Sequence, residues 1–221
     1  MQQEVFLSLK KIPLLEKLPD EALNALAAKA KAIKFAKQAV IISEGDKGNS
    51  LYIILSGKVR VFSSDDKSKE VTLLIQGAGS YFGELALLGD EPRSASIEAL
   101  EKTVCATLTK SEFKAWLLVY PEVAIGLLSD LSDKIRYLTE KVKQLALSNV
   151  YERTIKVLQE MAVQEGEVWV VANKPTQQEL ANMVGSSREM VNKVMKELTK
   201  GGYVVIKDKT LRIENKPPAS W

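Results

Sequence analysis

The chain contains no histidine and a single cysteine, Cys105. Those absences exclude histidine metal sites, thiolate clusters, disulfide frameworks and every mechanism that relies on a histidine base. Cys105 lies in a short apolar run and is expected as a buried strand residue. No apolar run approaches the roughly 20 residues that a membrane-spanning helix needs, and residues 1–20 lack the apolar core and cleavage site of a secretory signal. The expectation is a cytoplasmic protein that does not engage a membrane. No nucleophile, base and orienter can be assembled, which disfavours an enzyme, and neither a metal nor a covalent cofactor is expected. What is there is an ordinary globular composition, 46% hydrophobic and 27% charged over 221 residues, enough for two modest domains with their own cores.

The net charge of +3 is unevenly placed: residues 186–212 hold seven Lys or Arg against three acids. Charge alone leaves two readings, a solvated helix and turn or an anion-binding face. Residues 3–30 read as short helices with Leu14, Leu18, Leu23 and Leu26 as apolar contacts and Pro13 and Pro19 as breaks. From about 33 to 109 the texture changes to short β-branched runs, at 39–42, 51–55, 58–62, 71–75, 95–100 and 103–108, with glycines between them. Many short strands at regular spacing predict an antiparallel barrel or roll.

Leu128, Leu131, Ile135, Leu138, Val142 and Leu145 then alternate at separations of three and four, a heptad stripe on one face of a long helix. The stripe packs either on its own barrel or on a second copy of the helix. Its narrowness favours the second copy, hence a parallel homodimer. Residues 147–153 read as a hinge to a second domain.

That domain carries 176-TQQELANMVGSSREMVNKVMKELTKGGYV-204. Thr176 with Glu179, and Ser186 with Glu189, have the spacing of capping boxes, so two helix starts stand ten residues apart. Ala181 permits close helix crossing, Gly185 the tight turn, and Val191 closes the core, which is a helix-turn-helix. On the second helix Met190, Val191, Val194, Met195 and Leu198 share one arc, and Arg188, Glu189, Asn192, Lys193 and Lys196 the opposite one. Base-reading residue types at the helix N-terminus suit a DNA groove. The runs 203–206 and 210–213, joined by Lys207, Asp208 and Lys209, form a hairpin wing whose lysines suit phosphates.

One stretch, 81-YFGELALLGDEPRSASIEAL-100, sets an acid, Glu84, and a base, Arg93, inside an apolar run. Buried charges need strong partners, so the two either pair with each other or address a ligand. Together with 45-GDKGNSLYIILSGKVRVF-62, the heptad helix and 186-SSREMVNKVMKEL-198, this stretch gives the chain a resemblance, over nearly its full length, to the cyclic-AMP receptor protein and fumarate-nitrate regulator superfamily. The resemblance implies an α+β protein: a cyclic-nucleotide-binding β-roll, jelly-roll-like, in residues 1–110; a dimerisation helix and hinge in 111–149; and a winged helix-turn-helix in 150–221. It implies a homodimeric regulator that binds a cyclic nucleotide, double-stranded DNA and RNA polymerase, with Lys102 and the loop 164–171 as exposed candidates for the last. By this similarity Arg93 and Ser94 grip the cyclic phosphate, Glu84 accepts from the ribose 2′-OH, and Gly83 admits backbone N–H groups; Leu73, Leu85 and Ala95 join them at the ligand. The adenine edge falls to Leu138 and Thr139, of which only Thr139 can hydrogen-bond. Cyclic AMP is therefore the first candidate, with cyclic GMP, cyclic di-GMP and ligand independence as alternatives. On DNA the similarity assigns Thr176, Ser187, Arg188, Glu189, Asn192 and Lys193, with Arg188 on a guanine edge, Glu189 on a cytosine amine, and half-sites related to GTGA.

Overall fold

The computed structural model describes residues 2–12, 15–16, 18–166, 168–215 and 217–218, without the side chains of 2 and 4. Pro13 and Leu14, anticipated as a break and a core contact, lie outside that set. The chain divides into two compact units, Met1–Ser63 with Leu73–Arg136 and Ser64–Thr72 with Tyr137–Trp221.

The first unit opens with helices α1 (Gln2–Leu9) and α2 (Asp20–Lys29). Asp20 and Glu21 in the first turn of α2 oppose the positive end of its dipole. Its buried side chains, Ala22, Leu23, Leu26 and Ala27, fall on one face. Strands β1 (Lys31–Phe35), β2 (Val40–Ile42), β3 (Ser50–Ser56), β4 (Lys58–Ser64), β5 (Glu70–Gly77) and β6 (Tyr81–Phe82) follow. A short helix, α3 (Glu84–Gly89), then leads to β7 (Ser96–Ala99) and β8 (Thr103–Thr109). The strands form two antiparallel sheets, ordered β1-β8-β3-β6 and β2-β7-β4-β5, which is the expected roll. Two strands of the roll escaped the sequence reading: β6, only two residues long, and β1. Cys105 is fully buried on β8, and burial pushes its thiol up to about 12.

Helix α4 (Lys110–Val119) starts on a capping box in which Thr109 and Glu112 satisfy each other's backbone N–H. The indole of Trp116 on α4 donates to the Ala22 carbonyl at 3.1 Å and locks the N-terminal helices to this end of the core. The long helix α5 (Pro121–Leu147) begins with proline at its first position, where a missing N–H is harmless. Its heptad residues Leu128, Ile135, Val142 and Leu145 are exposed, at 64%, 65%, 65% and 49%. Leu131 and Leu138 of the same stripe are half-buried, so four of its six residues stay exposed. No single helix among the described residues is long and apolar enough to cross a membrane.

In the second unit, α6 (Val150–Met161) is capped by Asn149, with Glu152 completing a capping box. The anticipated loop 164–171 is instead a hairpin, β9 (Val163–Glu165) with β10 (Val168–Val171), in which Val168 stands opposite Glu165. Helices α7 (Gln177–Val184) and α8 (Arg188–Lys200) and the wing strands β11 (Val204–Lys207) and β12 (Thr210–Ile213) complete it. The sheet order is β11-β12-β10-β9. Val191, Val194, Met195 and Leu198 bury one face of α8 against Leu180, Ala181 and Val184 of α7. Met190, assigned to the same arc, is 45% exposed, because at 100° per residue it falls at the edge of the arc that Val191, Val194, Met195 and Leu198 bury.

Candidate nucleotide and DNA sites

The segment between β6 and β7 folds around the Arg93 guanidinium. Arg93 is 7% exposed; its Nη1 donates to the Gly83 carbonyl at 2.9 Å and its Nη2 to the Ser50 carbonyl at 2.8 Å. Two glycines make the room. A Cβ at Gly83 would meet Arg93 Nη1, and a Cβ at Gly48 would lie 2.5 Å from Ala86 Cβ and 2.9 Å from Arg93 Nε. Gly83 also sits at φ +87°, a left-handed conformation that side chains with a Cβ resist. Burial lowers the pKa of Arg93, against the opposing pull of Tyr52, Glu84 and Asp46. With a parent value above 12 the group stays charged. Its two hydrogen-bonded partners among the described residues are neutral carbonyls, which leaves three of five N–H donors uncommitted there.

Glu84, 4% exposed, opens α3. It does not pair with Arg93. Its Oε1 accepts from Lys134 Nζ of α5 at 2.8 Å, and the same ammonium lies 4.2 Å from the centre of the Tyr81 ring. The alternative in which acid and base serve only each other is thus replaced by two separate arrangements within one unit. Lys134, Gly48 and Ser50 were missed as site residues. Gly48 and Ser50 lie in the quoted 45–62 motif, whereas nothing local marks Lys134.

Of the other anticipated ligand residues, Ser94 is exposed and Ala95 half-buried directly after Arg93; Leu85 is exposed on α3, and Leu73 is half-buried on β5. On α5, Thr139 is exposed and Leu138 half-buried in the heptad stripe.

In the second unit the helix-turn-helix is fixed by its caps. Thr176 and Glu179 form the expected box, at 3.2 Å and 2.7 Å. The box expected at Ser186 does not form. Gly185, at φ +67°, ends α7, and the N–H of Ser186 turns back to the Ala181 carbonyl at 3.1 Å. Ser186 thereby closes the preceding helix, and Ser187 caps α8 instead, accepting from Met190 N at 3.2 Å. Glu189 is then the second residue of α8, where hydrogen bonds from its own N–H and from Ser187 lower its pKa. Arg188, Glu189, Lys193 and Lys196 are exposed and Asn192 half-buried, so the outer face of α8 is polar from its first turn. Arg153 braces the turn from α6, donating to the Val184 carbonyl at 2.9 Å and to the Ser148 carbonyl at 2.6 Å. The two-residue turn Asp208–Lys209 sets Lys207 opposite Thr210 at the wing tip.

Comparison with known proteins agrees with both units. The family model for the cyclic nucleotide-binding domain matches residues 32–120, and that for the Crp-like helix-turn-helix domain residues 152–217. The chain is 29% identical over 198 residues to the CRP-like cAMP-activated global transcriptional regulator of Mycobacterium tuberculosis, covering 88% of each. It is 30% identical over 196 residues to the cAMP-activated global transcriptional regulator Vfr of Pseudomonas aeruginosa, covering 86% of this chain and 92% of that one. Among solved structures, the c-di-GMP responsive global regulator CLP of Xanthomonas campestris shares the fold at TM-score 0.81 and 22% identity, covering 90% of this chain and all of that one. The catabolite activator protein of Thermus thermophilus aligns at 29% identity and TM-score 0.56, covering 91% and 93%. With a nucleotide-binding roll and a helix-turn-helix matched in one chain, and relatives aligned across most of both lengths, the protein belongs to the CRP/FNR superfamily of transcription regulators.

Proposed function

We propose that the protein is a homodimeric, sequence-specific DNA-binding regulator switched by a cyclic ribonucleotide, with cyclic AMP the first candidate. The observation that carries this is Arg93, a buried guanidinium whose bonded partners are two carbonyl oxygens rather than a carboxylate. Desolvating a charge without a counter-ion costs several kcal/mol, and a cyclic phosphate meeting the three uncommitted N–H groups offsets that cost. Glu84 stands beside it as acceptor for a ribose hydroxyl, and Ser94 adds a hydroxyl donor. The cAMP-activated relatives support adenine as the base.

The exposed heptad stripe of α5 supports a parallel dimer, and the polar outer face of α8 supports major-groove reading by Arg188, Glu189 and Lys193, with Asn192, Ser187 and Thr176 nearby. A two-fold dimer presents two such helices to half-sites related to GTGA about one helical turn apart. RNA polymerase is the further partner. Ligand switches the protein only by binding the DNA-competent state more tightly, and DNA must then raise ligand affinity by the same factor.

Calorimetric titration with cyclic AMP, cyclic GMP and cyclic di-GMP tests the ligand, and Arg93→Ala should abolish binding. Selection from random DNA should return a two-fold site. A second reading draws on Glu84, whose carboxylate already has Lys134 as a partner: a ligand-independent regulator in which the pocket is structural. Dialysed protein that binds its selected site at full affinity without nucleotide would favour that reading.

A further inference from the structure

Gln76 is the one buried residue of β5, at 9% exposure. Its Nε2 donates to the Tyr81 carbonyl at 3.3 Å. That carbonyl also lies 3.5 Å from Lys134 Nζ, whose other bond is to Glu84. The carboxamide of Gln76 is therefore the next member of the network that ends at the Glu84 carboxylate. Its orientation is decided by chemistry. The Tyr81 carbonyl only accepts, so the amide nitrogen must face it, and Oε1 is the other end. Oε1 has no hydrogen-bond partner among the described residues. A buried acceptor left unpaired is destabilising, and such exceptions call for an explanation.

The network thus holds two side-chain acceptors of different kind, the Glu84 carboxylate and the neutral Gln76 amide oxygen, beside the Lys134 ammonium. A cyclic adenosine monophosphate carries two kinds of hydrogen-bond donor, the ribose 2′-OH and the exocyclic amine. We propose that Gln76 is a base-reading residue of this pocket, its Oε1 accepting from an exocyclic amine of the purine while Glu84 takes the ribose hydroxyl. This rests on the nucleotide reading of the same site and assigns a base-specificity role that the heptad residue Leu138 cannot fill.

The test is calorimetry of the full chain with cyclic AMP, cyclic GMP and the 3′,5′-cyclic monophosphate of purine riboside, which lacks any amine. Wild type should bind an amine-bearing ligand roughly 10- to 100-fold tighter than the bare purine, and the two amine-bearing ligands show whether the 6- or the 2-amine is read. In Gln76→Leu that ratio should collapse to about 1 while bare-purine affinity holds, and the ligand-free melting temperature should rise as the unpaired acceptor is removed. Gln76→Met provides the same comparison should the leucine variant not fold. An unchanged ratio in the variants, or no preference for an amine in wild type, overturns the assignment. Wild type that binds none of the three ligands, and no cyclic di-GMP either, would instead bring down the nucleotide reading itself.

Discussion

Gly48→Ala isolates the contribution of the Arg93 cradle with a single methyl group. Gly48 does not need a left-handed backbone, so the substitution acts through space alone. The new Cβ would stand 2.5 Å from Ala86 Cβ and 2.9 Å from Arg93 Nε, both well inside van der Waals contact. Ala86 sits on α3 and is 3% exposed, so it cannot swing away, and Arg93 is the side that must yield. Overpacking of this kind costs about 1–3 kcal/mol. Shifting the guanidinium also weakens its bonds to the Gly83 and Ser50 carbonyls, each a charged-group hydrogen bond worth about 1.5–3 kcal/mol. Thermal and urea denaturation should show a loss of about 1–3 kcal/mol, and calorimetry a fall in cyclic-nucleotide affinity of roughly 10- to 100-fold, since 1.4 kcal/mol is tenfold. Gly89→Ala is the control, because a Cβ there meets only Glu91 Cγ at 3.7 Å. Its affinity should match wild type. A Gly48→Ala protein that binds nucleotide as tightly as wild type would refute the claim that this glycine sets the position of Arg93.

Three further outcomes follow from the same geometry. Ile135→Glu changes a side chain that is 65% exposed, so each chain should fold normally while sedimentation shows monomers and operator binding is lost; a persisting dimer rules out the α5 stripe as the interface. Arg188→Ala should relax selection at one base pair of each half-site by about 1–3 kcal/mol, read by binding to a panel of operator variants, whereas Lys193→Ala should weaken all sites more evenly. Thr109→Ala should cost about 1 kcal/mol at neutral pH by removing a helix cap. Hydrogen bonds from the Thr109 side chain and backbone hold the Glu112 carboxyl below its ordinary pKa. That contribution is present above the unfolded pKa and lost as pH falls through the folded one, so the stability gap between the proteins should narrow below about pH 4.

The features legible in the sequence were those whose cause is local. The heptad of α5 and the apolar arc of α8 repeat within a few residues, and the wing announces itself by a charged two-residue turn between β-branched runs. Elsewhere a local signal pointed the wrong way. Ser186 and Ser187 are equally good caps in isolation, and the choice falls to Ser187 because the Ser186 N–H is already engaged in closing α7. Residues 164–171 read as an exposed loop, yet β10 is held by β12, some forty residues on, where Val171 stands opposite Leu211. Lys134 and Gln76 had no signature at all. They meet only because β5 and α5 both approach the Tyr81 carbonyl.

That convergence also bears on which phosphate the site suits. Lys134 is paired with Glu84 and the half-buried Asp130 adds a negative charge beside Tyr81, so Arg93 is the one cation of this site without a carboxylate partner among the described residues. A cyclic phosphodiester carries one negative charge and balances it. A nucleoside 5′-monophosphate carries close to two at neutral pH, its second pKa lying near 6, and places the excess in a region where unpaired charge is strongly disfavoured. The same glycines that admit the guanidinium leave no side chain at positions 48 and 83 to help neutralise it. Charge balance therefore favours a phosphodiester over a phosphomonoester independently of the base, and on the proposed reading Arg93 serves the phosphate, Glu84 the sugar and Gln76 the base.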